Sequence, residues 1–133
     1  MQAVKARITK PLIHGSYVDV CDNSGAKILK IIAVKHSKTV KNRYPSCGVG
    51  DLVMASVTTG RPDMRKQVVP AIIVRQKKEY RRMDGMRIQF EDNAAVVLKD
   101  EKGNPKGTIF KGPTAKEAAA RWPAVAKVAK MMV

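Results

Sequence analysis

The chain has 133 residues, the size of one ordinary domain, and carries 26 Lys and Arg against 11 Asp and Glu for a formal charge of +15. An apolar fraction of 44% suffices for a core, and an aromatic fraction of 5% makes that core aliphatic. No apolar run approaches the ~20 residues that span a bilayer, and the N-terminus lacks the apolar stretch of a secretory signal. The expectation is a non-membrane chain with a polyanionic partner, because a field of that sign attracts phosphate.

Residues 1–16 are basic and irregular, with Lys5, Arg7 and Lys10 ahead of Pro11 and Gly15. They read as an extension lying over a surface, outside the core. Residues 17–21 alternate and predict a strand, and Asp22-Asn23-Ser24-Gly25 is a turn cluster. Residues 27–34 carry Ile28, Leu29, Ile31, Ile32 and Val34, which predicts a strand buried on both sides or bent across a barrel. The loop 35–50 is long, and loops of that length are often functional. It holds Lys38, Lys41, Arg43 and Tyr44, then Gly48-Val-Gly50. Residues 51–58, 68–74 and 94–98 read as further strands, with a basic connection through Arg65 and Lys66. Residues 106–110 read as one more short strand.

The segment between the last two long strands is unusual. Arg75-Gln-Lys-Lys-Glu-Tyr-Arg-Arg82 precedes Met-Asp84-Gly85 and then Met86-Arg87-Ile-Gln-Phe90. Asp-Gly tolerates the positive φ of a tight hairpin turn. Side chains of a strand alternate between faces, and neither face of the arm 75–82 is apolar. An ideal two-residue turn would place Arg82 opposite Arg87, a repulsive pair that a phosphate would relieve. Gly25, Gly50, Asp84 and Gly85 read as structural turn residues.

At the C-terminus, Thr114-Ala-Lys-Glu117 fits a capping box, and Ala118, Ala119 and Ala120 favour helix. Trp122-Pro123 breaks that helix and opens another. Val125, Val128, Ala129 and Met132 then read as one apolar stripe, with packing on the barrel favoured and Val125, Val128 and Met132 the alternative partner-protein surface. Phe90 and Phe110 read as core, and Trp122 as the anchor between helix and barrel. The whole predicts a mainly β single domain over residues 1–133. It is a small five-stranded antiparallel barrel with a protruding basic ribbon, a basic extension over 1–16 and a helical part over 114–133.

Catalytic chemistry finds no constellation. His14 and His36 sit in basic loop contexts without a carboxylate partner and read as surface or phosphate-contacting residues. Gly48-Val-Gly50 is too short for a nucleotide fingerprint. Cys21 and Cys47 lack metal-ligand spacing and read better as thiols in a reducing compartment than as a disulfide. Asp22, Asp51 and Asp84 fall in separate turns, whereas a metal nuclease needs converging acids. The expectation is no enzyme, metal or cofactor. Aromatics are too few and scattered for a barrel that reads single strands by stacking, although Tyr44 and Tyr80 lie among cations and suit a base or ribose. Backbone contacts to structured RNA fit better.

One further pattern is specific. Ala71-Ile-Ile-Val74, nine residues, Asp84-Gly85, four residues, Phe90, two residues, Asn93, two residues, Val96-Val97 resembles the signature of the universal large-subunit ribosomal protein fourteen family. Asp22-Asn-Ser-Gly-Ala-Lys27, Gly48-Val-Gly-Asp51, Arg75-Gln-Lys-Lys78, Tyr80-Arg-Arg82 and Gly112-Pro113 extend the resemblance over residues 17–130. The segment 1–16 and Trp122-Pro123 look like its archaeal and eukaryotic branch. The resemblance implies a cytoplasmic, structural constituent of the large ribosomal subunit that binds large-subunit rRNA. It also implies a place at the subunit interface facing small-subunit rRNA, neighbouring ribosomal proteins, and docking of an anti-association or assembly factor. The residues assigned to rRNA are Arg75, Lys77, Lys78, Arg81, Arg82 and Arg87, then Lys38, Lys41, Arg43 and Tyr44, then Lys5, Arg7 and Lys10. The alternative is a free-standing barrel that binds single-stranded nucleic acid outside the ribosome.

Overall fold

The computed structural model describes residues 7–133, so the assignment of Lys5 lies outside the described residues. In chain order the elements are β1 (Leu12–Ile13), β2 (Tyr17–Val20), β3 (Ala26–Val34), β4 (Ser46–Cys47), β5 (Leu52–Gly60) and β6 (Val68–Arg75). Then come β7 (Tyr80–Arg81), β8 (Arg87–Ile88), β9 (Ala94–Val97), β10 (Pro113–Thr114), α1 (Lys116–Arg121), α2 (Pro123–Val128) and β11 (Met131–Met132).

Strands β2, β3, β5, β6 and β9 close a barrel in that order. Four seams are antiparallel, as the strand pattern predicts. The fifth is parallel, with Asp19 beside Ala94 and Val20 beside Ala95. The reason is arithmetic: an odd number of strands of alternating direction cannot close without one parallel seam.

Parity assigns the side chains to two apolar clusters. Leu29, Ile31, Val53, Ala55, Val57, Ala71, Ile73, Ala95 and Val97 fill the barrel. Leu52, Ile72, Val74, Ala94 and Val96 point out of it and are covered by Phe110, Ala115, Ala118, Trp122 and Val125. The two-sided strands are therefore β6 and β9. Strand β3 takes the bent option instead, with register irregularities at Ala26/Ile28, Ile28/Leu29 and Ile31/Ala33 and with Ile32 left 40% exposed.

Several local expectations change. Leu12 is buried and pairs with Cys47, so the end of the segment 1–16 belongs to the body of the fold rather than lying over it. Residues 106–110 form no strand, only a bridge from Phe110 to Asp22. The capping box does not form. Helix α1 starts on Ala115 without a side-chain cap, the buried Thr114 Oγ1 has no hydrogen-bond partner among the described residues, and Glu117 points elsewhere. The apolar stripe is cut when α2 ends at Val128. Val125 is buried and unavailable to a partner, Val128 is half-buried, and Met132 lies exposed on β11, which pairs parallel with β10.

Candidate nucleic-acid interface

The hairpin after β6 has a different register from the ideal two-residue turn. Arg81 stands opposite Arg87 and Tyr80 opposite Ile88. Arg82 N–H donates to Met86 O at 2.8 Å, and Gly85 N–H donates to Arg82 O at 3.0 Å. The loop is therefore Met83-Asp84-Gly85, with Gly85 at φ +89° and Asp84 Oδ1 accepting from Met86 N–H at 3.0 Å. A three-residue loop ending in a left-handed residue is a standard hairpin connection, and glycine takes that conformation without steric cost. A one-residue slip exchanges the faces of a strand. Arg81 and Arg87 consequently face solvent, and Tyr80 and Arg82 turn inward.

Two readings of this arm change, that of Tyr80 from its basic neighbours and that of Arg82 from the two-residue register. Tyr80 is 1% exposed and donates through its hydroxyl to Glu117 Oε2 at 2.8 Å, so it offers no ring face to a base. Arg82 donates to Glu117 Oε1 from Nε at 2.8 Å, to Glu117 Oε2 from Nη2 at 3.3 Å and to the Val133 carbonyl at 2.5 Å. Its charge is answered within the protein, and no phosphate is needed. The ribbon thus leans on α1 and the C-terminus, and its tip at Met83–Met86 is the part that projects.

Burial raises the pKa of Glu117, but the hydrogen bonds from Arg82, its own backbone and Tyr80 outweigh it and leave the carboxyl below its ordinary 4.5. Arg82 and Tyr80 are both held above their ordinary values, Arg82 by the bond to Glu117 and Tyr80 first by burial and then by that carboxylate. A depressed folded-state pKa stabilises above the unfolded value and is lost as pH falls through the folded one. Glu117→Gln is accordingly expected to cost about 2 kcal/mol at neutral pH, the scale of charge-assisted hydrogen bonds. In thermal melts the gap from wild type should close as pH drops below about 4. A gap independent of pH would show that the carboxylate charge contributes nothing.

Arg75 and Gln76 are also withdrawn from the surface. Arg75, 8% exposed, forks onto Asp92 (Nε to Oδ1 2.9 Å, Nη2 to Oδ2 3.1 Å) and donates from Nη1 to the carbonyls of Lys111 at 2.9 Å and Pro113 at 3.0 Å. It is a staple between β6, the residues before β9 and the entry to β10, and the assignment to rRNA is corrected. Gln76 is fully buried and links Val49 N–H, Thr9 O and Lys78 O.

The remaining assigned cations are exposed. Lys77, Lys78 and Arg81 line the first arm, and Arg87 lies on the second, where it also meets Glu79 at 3.4 Å. Lys38, Lys41, Arg43 and Tyr44 are exposed on the loop between β3 and β4, and Arg7 and Lys10 on the N-terminal segment. Tyr44 is 68% exposed and its ring is stacked with His14, centroids 6.4 Å apart and planes 11° from parallel. One further group escaped sequence reasoning. Tyr17 is 59% exposed with Lys30 Nζ 5.9 Å from its ring centre, and the outward parity of positions 17 and 19 was the signal available.

The acids hold turns together. Asp22 accepts from Ser24 N–H and Oγ–H and from Val97 N–H. Asp51 accepts from Gly48 N–H at 2.9 Å and from Arg121 at 3.1 Å. Gly50, at φ +86°, presents its carbonyl to Trp122 Nε1 at 2.8 Å and to Arg121 at 3.1 Å, and this joins the loop to both helices. Cys21 is buried, which pushes its thiol up to about 11, away from reactivity at neutral pH. Among the described residues no three His, Cys, Asp or Glu are grouped to hold a metal ion.

A closed barrel whose acids brace its own turns and most of whose cations look outward has the build of a structural, charge-presenting protein. The family described as Ribosomal protein L14p/L23e matches residues 12–133, and the chain belongs to this family of ribosomal proteins, which is not a family of enzymes. The chain is 53% identical over 133 residues, all of both chains, to "Large ribosomal subunit protein uL14" of Nanoarchaeum equitans. It is 52% identical over 132 residues, 99% of each chain, to the proteins of that name from Methanococcus vannielii and Methanococcus maripaludis strain C7. The segment 1–16 therefore has a counterpart in archaeal relatives.

Proposed function

We propose that this chain is a structural constituent of the large ribosomal subunit in the cytoplasm and binds large-subunit rRNA directly. The observation that carries the reading is the segregation of charge. Arg75, Arg82 and Arg121 are consumed by internal acceptors, while Lys77, Lys78, Arg81, Arg87, Lys38, Lys41 and Arg43 stay exposed on a chain of charge +15. Lysine and arginine held in solvent on one small barrel suit phosphate contacts, which position an RNA without reading its sequence. Membership of the family and the names of the archaeal relatives support the large subunit as the setting. The finer reading follows the family resemblance. The protein lies at the subunit interface, contributes to bridges with small-subunit rRNA, contacts neighbouring large-subunit proteins, and offers an exposed C-terminal surface including Met132 to an anti-association or assembly factor.

Salt dependence tests the RNA reading. With about six phosphates neutralised, the log–log slope of affinity for large-subunit rRNA against salt should be near −5. Lys77→Ala with Arg81→Ala should flatten it by roughly two units, about one per lost contact. An unchanged slope in that double variant would remove the hairpin from the interface.

A further inference from the structure

We propose that His14 and Tyr44 form a base-stacking platform, on which an unpaired nucleobase of the bound rRNA lies against the Tyr44 ring. The inference rests on the rRNA reading above and adds to it a contact of different chemistry. The rRNA contacts that carry that reading are cations on phosphates; this one is a π-face on a base.

Four observations carry it. First, the two rings are nearly parallel, 11° between planes and 6.4 Å between centroids. Parallel rings at this separation overlap little and leave most of each face uncovered, so a planar base can lie against one of them. Second, the pair is not a piece of core. Tyr44 is 68% exposed and His14 is exposed, so neither belongs to either apolar cluster. Third, one strand pairing sets both rings, since His14 leaves β1 where Tyr44 approaches β4. His14 follows β1, which pairs with β4, and the next residue, Gly15, donates to Ile31 O at 2.8 Å. Tyr44 enters β4 on the other side of the same pairing. The approach to Tyr44 runs through Lys41 at φ +56° and Asn42 at φ +60°, with Arg43 N–H donating to Val40 O at 3.3 Å. Left-handed non-glycine residues carry strain and persist where the surroundings over-determine them, often at binding sites. Fourth, the platform is flanked by exposed cations of the same loop, Lys38, Lys41 and Arg43. An aromatic face beside a cationic track is how sequence-tolerant binders hold unpaired nucleotides. The other exposed aromatic, Tyr17, has Lys30 at its ring face instead of a second ring.

The test is a salt titration of full-length protein binding to a transcript of archaeal large-subunit rRNA. Tyr44→Ala should weaken binding about tenfold at every salt concentration, the scale of one base–aromatic stack, and leave the slope unchanged, because no phosphate contact is lost. Tyr44→Phe should bind like wild type. His14→Ala should fall between wild type and Tyr44→Ala. Lys38→Ala with Lys41→Ala should flatten the slope instead. Melting temperatures should be unaltered in the Tyr44 variants, given their exposure. Wild-type affinity in Tyr44→Ala with a steep slope overturns the platform and leaves the rRNA reading standing. Equal losses in Tyr44→Phe and Tyr44→Ala also overturn it, since they would point to the hydroxyl. Normal rRNA affinity combined with weakened incorporation into large subunits would overturn it in favour of a protein neighbour. A shallow slope for the wild-type protein would overturn the rRNA reading itself, and the platform with it.

Discussion

Replacing Asp51 by alanine is expected to destabilise the protein by about 4 kcal/mol, because it removes the carboxylate that faces a buried guanidinium. Asp51 is 2% exposed and Arg121 6% exposed, and the ion pair spans 3.1 Å between the loop before β5 and the last residue of α1. The same carboxylate receives Gly48 N–H at 2.9 Å, so the change also removes the brace of the turn that presents the Gly50 carbonyl. Domains of this size hold only about 5–15 kcal/mol in total. Chemical denaturation of Asp51→Ala would measure the loss. Replacing both partners at once, Asp51→Leu with Arg121→Met, should recover a large part of it, since a buried pair exchanged for apolar groups is often neutral. A cost under about 1 kcal/mol for the single variant would mean that water reaches Arg121 in solution.

The second large effect concerns Arg75. Arg75→Ala should cost about 3 kcal/mol and lower the melting temperature by roughly 10 °C. It abolishes a bidentate pair with Asp92, 36% exposed at its side chain, and leaves the carbonyls of Lys111 and Pro113 without that donor. Arg75→Lys should restore little, because an ammonium cannot reproduce the fork. The slope of RNA binding against salt should stay at the wild-type value in folded Arg75→Ala. A flatter slope with an unchanged melting temperature would instead place Arg75 on phosphate.

Arg75 and Arg82 show where sequence reasoning reaches its limit. The barrel was legible because strand parity, Asp-Gly and Gly turns, and the Pro123 break are local signals. The parallel seam follows once the strands are counted as five. Arg75 continues Ala71–Val74, a run buried on both faces, so its burial had a faint local sign. Its partners, at 92, 111 and 113, had none. Arg82 is the clearer case. The composition of the arm suggested a charge seeking an external anion, and the anion is Glu117, 35 positions away in the chain. Glu117 in turn was read as a helix cap because Thr114 stands at the right spacing, and spacing alone cannot tell which of two acceptable partners a carboxylate takes. The loop cations needed no such information. Among the described residues no acceptor competes for Lys38, Lys41 or Arg43, and their charge was visible from composition.

The parallel seam also orders events in time. Strands β2, β3, β5 and β6 can pair in succession as each leaves the ribosome that synthesises it, but β2 keeps one edge unpaired until Ala94 and Ala95 arrive beside Asp19 and Val20. About three-quarters of a new chain must therefore exist as an open sheet with two bare edges, a form prone to pairing with other strands. Closure is a single late, long-range step, the kind that dominates the folding time of β proteins. The C-terminal helices can seat on Ile72, Val74 and Val96 only after it. A chain truncated before Ala94 should consequently aggregate rather than fold, because the two bare edges, on β2 and β6, carry a single cation between them, Arg75.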